Sequence, residues 1–213
     1  MSLQATINRQ VKNYRKWDFI IFLSLTLLSV LNGQTTVFYL IYFFWWSALI
    51  QLVVDFSYRN WNKNAIREKD GQFEFGSLFL MGIYWVFIVV FFGFIAGSNH
   101  QDIIYANMQV LFFQNWFFNG NLIFILIERV FLHKTQQPVR IYLGAFSPNA
   151  IVLHISIIVG GVVMFFVVKN YPETFTPENR WGSLLIVLPF LFLKMLMQKL
   201  TASDNVMPKP NNS

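Results

Sequence analysis

Six long apolar blocks separated by short polar stretches set the pattern of this chain. They run over Trp17–Asn32, Val37–Phe56, Gly76–Ala96, Met108–Ile127, Asn149–Val168 and Trp181–Leu200. A helix that crosses a bilayer needs about 20 consecutive apolar residues, and five of the blocks are close to that length. The first is short, which fits a helix tilted inside a bundle or extended at its basic end. Alternation of period two is absent, which argues against a β-barrel. No repeat is visible at a transporter-like period. The pattern therefore predicts an all-α polytopic membrane protein, a bundle of about six transmembrane helices in one domain over residues 1–200. A polar tail over 201–213, TASDNVMPKPNNS, reads as a flexible end. Asn32-Gly33-Gln34-Thr35-Thr36 reads as a tight polar turn. The stretch from Trp61 to Gly71 mixes both charge signs and suits a short surface helix. The stretch from Thr135 to Pro148 suits a segment lying along the membrane surface.

Composition sharpens the membrane reading. Hydrophobic residues make up 55% and charged residues 12% of the chain, against about 25% charged in soluble domains. That is too little charge to cover a water-facing surface. There is no Cys, which excludes disulfides, thiolate metal sites and cysteine nucleophiles. The basic start followed by an apolar block lacks a small-residue cleavage site, so it reads as an uncleaved first helix.

The formal net charge of +6 follows topology rather than nucleic acid. Arg9, Lys12, Arg15 and Lys16 precede the first block, and the turn after it has no basic residue. Arg59, Lys63, Arg67 and Lys69 follow the second block, and the stretch after the third has His100 and Asp102 only. Arg129, Lys134 and Arg140 follow the fourth, while Lys169 and Arg180 follow the fifth beside Glu173 and Glu178. Lys199 and Lys209 close the chain. By the positive-inside rule both termini are cytoplasmic.

Candidate chemistry concentrates in the fourth block. Gln114, Asn121 and Glu128 are spaced by sevens and would share a helix face, with Asn115 and Asn119 as a second polar edge. This helix is expected to line whatever specific interior the protein has. Its amides read first as interhelical contacts and second as a polar lining for an ion or solute. Four ionisable residues fall in the inner-leaflet half: Asp55, Glu128, His154 and Lys194. His154 would lie roughly 8 Å and Lys194 roughly 9 Å from the cytoplasmic ends of their helices. Such residues are catalytic candidates with one another as partners. Equally, Lys194 can snorkel to the headgroups and Glu128 can pair with Arg129 or Arg140. With His100 and His133 in opposite loops, two-histidine haem ligation inside the membrane is excluded, and neither metal nor cofactor is predicted. Gly93 and Gly97, and Ser156, Gly160 and Gly161, have the small-residue spacing of close helix packing. Pro189 should kink the last helix about one turn before Lys194.

Two segments carry a resemblance. IVLHISIIVGGVVMF over Ile151 to Phe165, followed by a Leu-rich helix ending LFLKMLMQKL, is one. The aromatic run YLIYFFWWSALI over Tyr39 to Ile50 is the other. Together they resemble the small bacterial integral membrane proteins grouped as domain of unknown function 6498. The resemblance implies a six-helix architecture in a bacterial inner membrane and draws attention to His154, Gly160 and Gly161. It implies no reaction. Where members of that group carry an acid and two histidines, the corresponding positions here are Ser47, Tyr84 and Asn115, which lowers the expectation of catalysis.

Three functional classes remain. A non-catalytic structural or accessory membrane subunit is favoured, because charge inside the blocks is sparse. An inner-leaflet enzyme on a lipid-type substrate would bring Asp55, Glu128, His154 and Lys194 together. A small channel or carrier would have a polar cavity lined by Asn115, Asn119 and Asn121. The expected partners are the lipid bilayer and other membrane proteins or further copies of the chain. Nucleic acid is not expected. No P-loop, nucleophile elbow or zincin motif is present.

Overall fold

The computed structural model describes residues 19–61, 71–97, 100–132, 141–142, 145–146, 148–171, 173–176 and 179–203. Helix α1 is Phe19–Leu31. Then come α2, Val37–Trp61, α3, Gly71–Phe87, α4, Gln101–Leu111, α5, Trp116–Leu132, α6, Pro148–Val162, and α7, Arg180–Ser203. Two of them run on into wider π-helical turns, α3 through Ile88–Ile95 and α6 through Val163–Val168. There the Ala96 N–H reaches back five residues to the Phe91 carbonyl, and the Lys169 N–H to that of Met164, each at 2.9 Å. Among the described residues the strand structure is one antiparallel pair, Ile141–Tyr142 with Ala145–Phe146, set against α3 and α6. The expected surface helix after Trp61, most of the 135–147 stretch and the tail from 204 lie outside the described residues. So do many of the basic residues behind the topology reading.

Chain ends of helices are made by specific residues. Gly33, at φ 65°, closes α1 in the left-handed conformation that glycine adopts without a Cβ clash. The Gly33 N–H bonds the Val30 carbonyl and the Gln34 N–H bonds that of Ser29, each at 3.0 Å. Three residues later Thr36 caps α2, its hydroxyl accepting the Tyr39 N–H at 3.1 Å. Asn179 caps α7 by accepting the N–H groups of Trp181 and Gly182.

The bundle is built around α2, not around the fourth apolar block. Residues from Val37 to Trp45 are all buried, and α2 touches α3, α4, α5, α6 and α7. The reason is shape. The aromatic run offers large flat faces: the Tyr42 ring stacks on Phe38 at 5.0 Å, on Phe118 at 5.7 Å and on Trp45 at 5.8 Å between centroids. The Trp45 indole N–H also donates to the Met81 carbonyl at 2.8 Å, tying α2 to α3.

Pairwise contacts fix the directions. Trp45 meets Met81 while Phe38 meets Gly93, so α3 runs opposite to α2. Tyr84 meets His154 and Phe91 meets Phe165, so α6 runs with α3. Ile186 shares a cleft with Thr36 and Phe38 while Lys194 lies over Phe43, so α7 runs with α2. The chain therefore has to return between the end of α3 and the start of α6. Among the described residues three helical stretches are long and apolar enough to cross a membrane: Val37–Val54, Leu78–Ile95 and the broken stretch Gln101–Val130.

That third stretch departs from the single fourth span expected over Met108–Ile127. It is interrupted after Leu111. The Phe113 N–H bonds the Val110 carbonyl and the Gln114 N–H that of Gln109, the same closing pattern as in α1. Here the left-handed position, φ 57°, is held by Phe113 instead of glycine. Asn115 then caps α5 by accepting the Phe118 N–H at 3.0 Å. The seven-residue face of Gln114, Asn121 and Glu128 consequently does not exist. Gln114 precedes α5 and is exposed, whereas the buried stripe of α5 is Phe118, Asn121, Leu122, Ile125 and Arg129.

Candidate functional site

The polar side chains of the interior fall into a few separate settings. At the start of α2 the Thr36 hydroxyl donates to Asn107 Oδ1 at 2.7 Å, while Asn107 Nδ2 donates to the carbonyls of Phe92 and Gly93 at 3.2 and 3.1 Å. These carbonyls lie in the closing turns of the stretch that extends α3. Asn107 thus joins α2, α3 and α4 through one buried amide. A small cleft opens beside it, with Phe92, Met164 and Ile186 among its walls and Thr36 and Asn107 as its polar residues. Further along, Asn121 Nδ2 donates to the Tyr39 hydroxyl at 3.2 Å and ties α5 to α2. Asn119 Nδ2 donates to the Phe113 carbonyl at 2.7 Å and holds the turn before α5. So Asn115, Asn119 and Asn121 serve as a cap, a turn tie and an interhelical tie.

His154 lies half-buried where α6 meets α3, with Nε2 2.5 Å from the Tyr84 hydroxyl and the two rings edge to face. Tyr84 is one of the three positions singled out by the family resemblance, so the pair joins two residues that the sequence marked for separate reasons. The other two are buried: Ser47 accepts a bond from Gln51 Nε2 at 3.5 Å, and Asn115 caps α5.

Lys194 is 6% exposed. Its Nζ sits 5.2 Å from the Phe22 ring centroid and 5.9 Å from that of Phe43, where the quadrupole of each ring attracts the charge. The ammonium is held between α1, α2 and α7. Glu128 is half-buried on α5, and the side chain of Asp55 lies outside the described residues. Among the described residues no group of three His, Asp or Glu side chains is placed to hold a metal ion. The sequence presents Arg129 as a basic residue closing the fourth block and as a neighbour of Glu128, not as a buried one. It is 3% exposed, on the same stripe as Asn121 and Ile125, and that four-residue spacing was the available signal.

The small residues differ in how tightly they are used. A Cβ at Gly160 would run into Ile41, whose Cγ1 lies 2.9 Å away. One at Gly97 would meet Ile103 Cγ2 at 3.1 Å, and one at Gly93 would meet Phe38 Cε2 at 3.3 Å. Ser156 is fully buried, and a Cβ at Gly161 would find only Phe92 Cζ at 4.0 Å. The tightest approach to backbone is at Gly182, where a Cβ would strike the Thr174 carbonyl. Pro189 lies inside α7, which continues through it.

Comparison of the chain with family models, with curated proteins and with solved structures finds no match.

Proposed function

We propose that this chain is a multi-pass integral membrane protein that crosses the bilayer six times with both termini in the cytoplasm. In this reading it acts as a non-catalytic structural or accessory subunit of a membrane assembly. The observation that carries this reading is the use made of the interior amides. Asn107, Asn115, Asn119 and Asn121 each bind a helix end, a turn or a neighbouring helix of the same chain. A conduction path needs such groups directed at a solute, and a hydrolytic or transfer site needs an acid, a base and a nucleophile in mutual reach. The amides instead hold together a bundle whose outer faces are broadly apolar, such as Phe79, Ile83, Val86 and Val90 along α3.

Gentle extraction into nanodiscs at native expression, followed by native mass spectrometry, tests the proposal. The expected result is a defined complex heavier than one 25.0 kDa chain, with a second membrane polypeptide in fixed ratio. Recovery of the chain as a monomer carrying only lipid would remove the subunit reading.

A further inference from the structure

Three large aromatic side chains with polar tips stand out from the bundle at the end where α2 begins. Tyr105, Tyr171 and Trp181 are 67, 64 and 78% exposed, so most of each side chain meets whatever surrounds the protein. Their shared level follows from what lies beside them. Tyr105 comes two residues before Asn107, whose Oδ1 binds the Thr36 hydroxyl. Tyr171 comes three residues after Val168 and Trp181 five before Ile186, and Val168 and Ile186 both wall the cleft beside Thr36. Both α4 and α7 start at this end. Helical side chains lean toward the N-terminus, so Tyr105 and Trp181 lean away from the middle of the bundle.

The same order of surfaces holds along all three elements. On α7 the exposed positions Phe192, Leu188 and Leu185 lead to Trp181 and then Arg180. On α6 and its continuation Ile158, Val162 and Phe166 lead to Lys169, Asn170, Tyr171 and Glu173. On α4 Phe112 leads to Tyr105 and then Asp102 and Gln101. Apolar surface, then a ring with a polar tip, then charge is the order of media met on leaving a bilayer, and Tyr and Trp collect where the medium changes. Chemistry narrows the partner further. The Trp181 indole N–H can only donate a hydrogen bond, and each tyrosine hydroxyl can donate one. Among the described residues none of these three tips has a protein partner. Ester carbonyl and phosphate oxygens accept such bonds, and hydrocarbon does not. At this level Asp102 and Glu173 balance Lys169 and Arg180, so a zwitterionic lipid suffices. We infer that Tyr105, Tyr171 and Trp181 form a belt that docks in the headgroup layer of a phospholipid leaflet and sets the bilayer boundary at the start of α2. The belt presupposes the multi-pass reading above and adds the depth at which the bundle sits.

The test uses the full chain in phosphatidylcholine nanodiscs, with 5-fluorotryptophan in one sample and 3-fluorotyrosine in another. Fluorine signals are assigned by their loss in Trp181→Phe, Trp116→Phe, Tyr105→Phe and Tyr171→Phe, each at an exposed ring outside the core. Three paramagnetic probes report depth: lipid labelled at the headgroup, lipid labelled at the end of an acyl chain, and a gadolinium chelate confined to water. Trp116 is the comparator, because it is fully as exposed but lies beyond the far end of α4 from Tyr105. The expected result is that the headgroup label broadens the three belt signals most, while the chain-end label broadens Trp116 most. Belt signals broadened most by the chain-end label overturn the belt and leave the multi-pass reading standing. So do belt signals that answer to the chelate alone while Trp116 answers to the chain-end label. Equal responses of Trp116 and the belt to the headgroup label remove the depth order and overturn the belt too. If all four signals answer to the chelate alone, the multi-pass reading falls and the belt with it.

Discussion

A buried amide in a helical bundle matters in proportion to what it leaves behind when removed. Asn107 is bonded to the Thr36 hydroxyl and to two carbonyls at the end of α3, whereas Asn121 is bonded to one tyrosine hydroxyl that can turn elsewhere. Interhelical hydrogen bonds in membranes average well under 1 kcal/mol, so Asn121→Leu should cost about 0.5–1.5 kcal/mol. Asn107→Leu strands backbone groups that cannot move, and about 2–4 kcal/mol is expected. Equilibrium unfolding in mixed micelles, followed by circular dichroism, measures the order; equal costs would show that Asn107 is not the junction described here. The sequence pointed at amides as interhelical contacts, and Asn121 is one, but it left out Asn107. Asn107 stood just outside the predicted fourth span, and it could be seen as a junction only once the ends of α2 and α3 were brought beside it.

Elements were legible to the extent that their ends carry recognisable chemistry. The start of α2 after Thr36, the turn at Gly33 and the starts of α6 and α7 near Pro148 and Arg180 lie within a residue or so of the apolar pattern. The α4–α5 break was not legible, because its left-handed residue is Phe113 and the run LFFQNWFFNG has no glycine or proline where the helix stops. The cap at Asn115 was the one local signal, and it was read as a polar face. The centrality of α2 was also hidden, since Phe and Trp suit lipid-facing and interior positions alike. Glycines make the corresponding test at this scale. At Gly182 an added Cβ meets the backbone of Thr174 and Phe175, with the Thr174 carbonyl carbon at 2.9 Å and Phe175 Cα at 3.2 Å. Backbone cannot rotate out of the way as the tip of Ile41 can, so Gly182→Ala should lose roughly 1–3 kcal/mol. Gly82 faces open space on an exposed part of α3, and Gly82→Ala should gain about 0.5–1 kcal/mol from helix propensity. Thermal unfolding of the two variants in the same detergent should move in opposite directions, and a stable Gly182→Ala would mean that the 173–176 segment does not sit on α7.

At the scale of the whole molecule, alternation of direction along α2 ties the helices to a topology. Gln34 follows α1, Gln101 opens α4 and Asn170 follows α6, and each helix end concerned meets the start of α2: the α1 turn directly, α4 through Asn107, and α6 through Met164 and Val168 at the cleft beside Thr36. The three positions therefore lie at one end of the bundle. The basic residues that would face the cytoplasm belong to the other end, by the positive-inside reading. The chain has no cysteine of its own, so single cysteines report without background. On intact cells, Gln34→Cys, Gln101→Cys and Asn170→Cys should all react with a membrane-impermeant maleimide. Ser2→Cys and Asn212→Cys should react only after the membrane is opened. If the three react and the tails do not, six crossings with cytoplasmic termini follow. The reverse labelling would keep the crossings and invert the orientation, which would mean that the alternation of Lys and Arg does not govern insertion here. A split among the three would break the link between the α4–α5 interruption and a single crossing, because Gln101 and Asn170 share an end only if α4 and α5 together carry the chain across once.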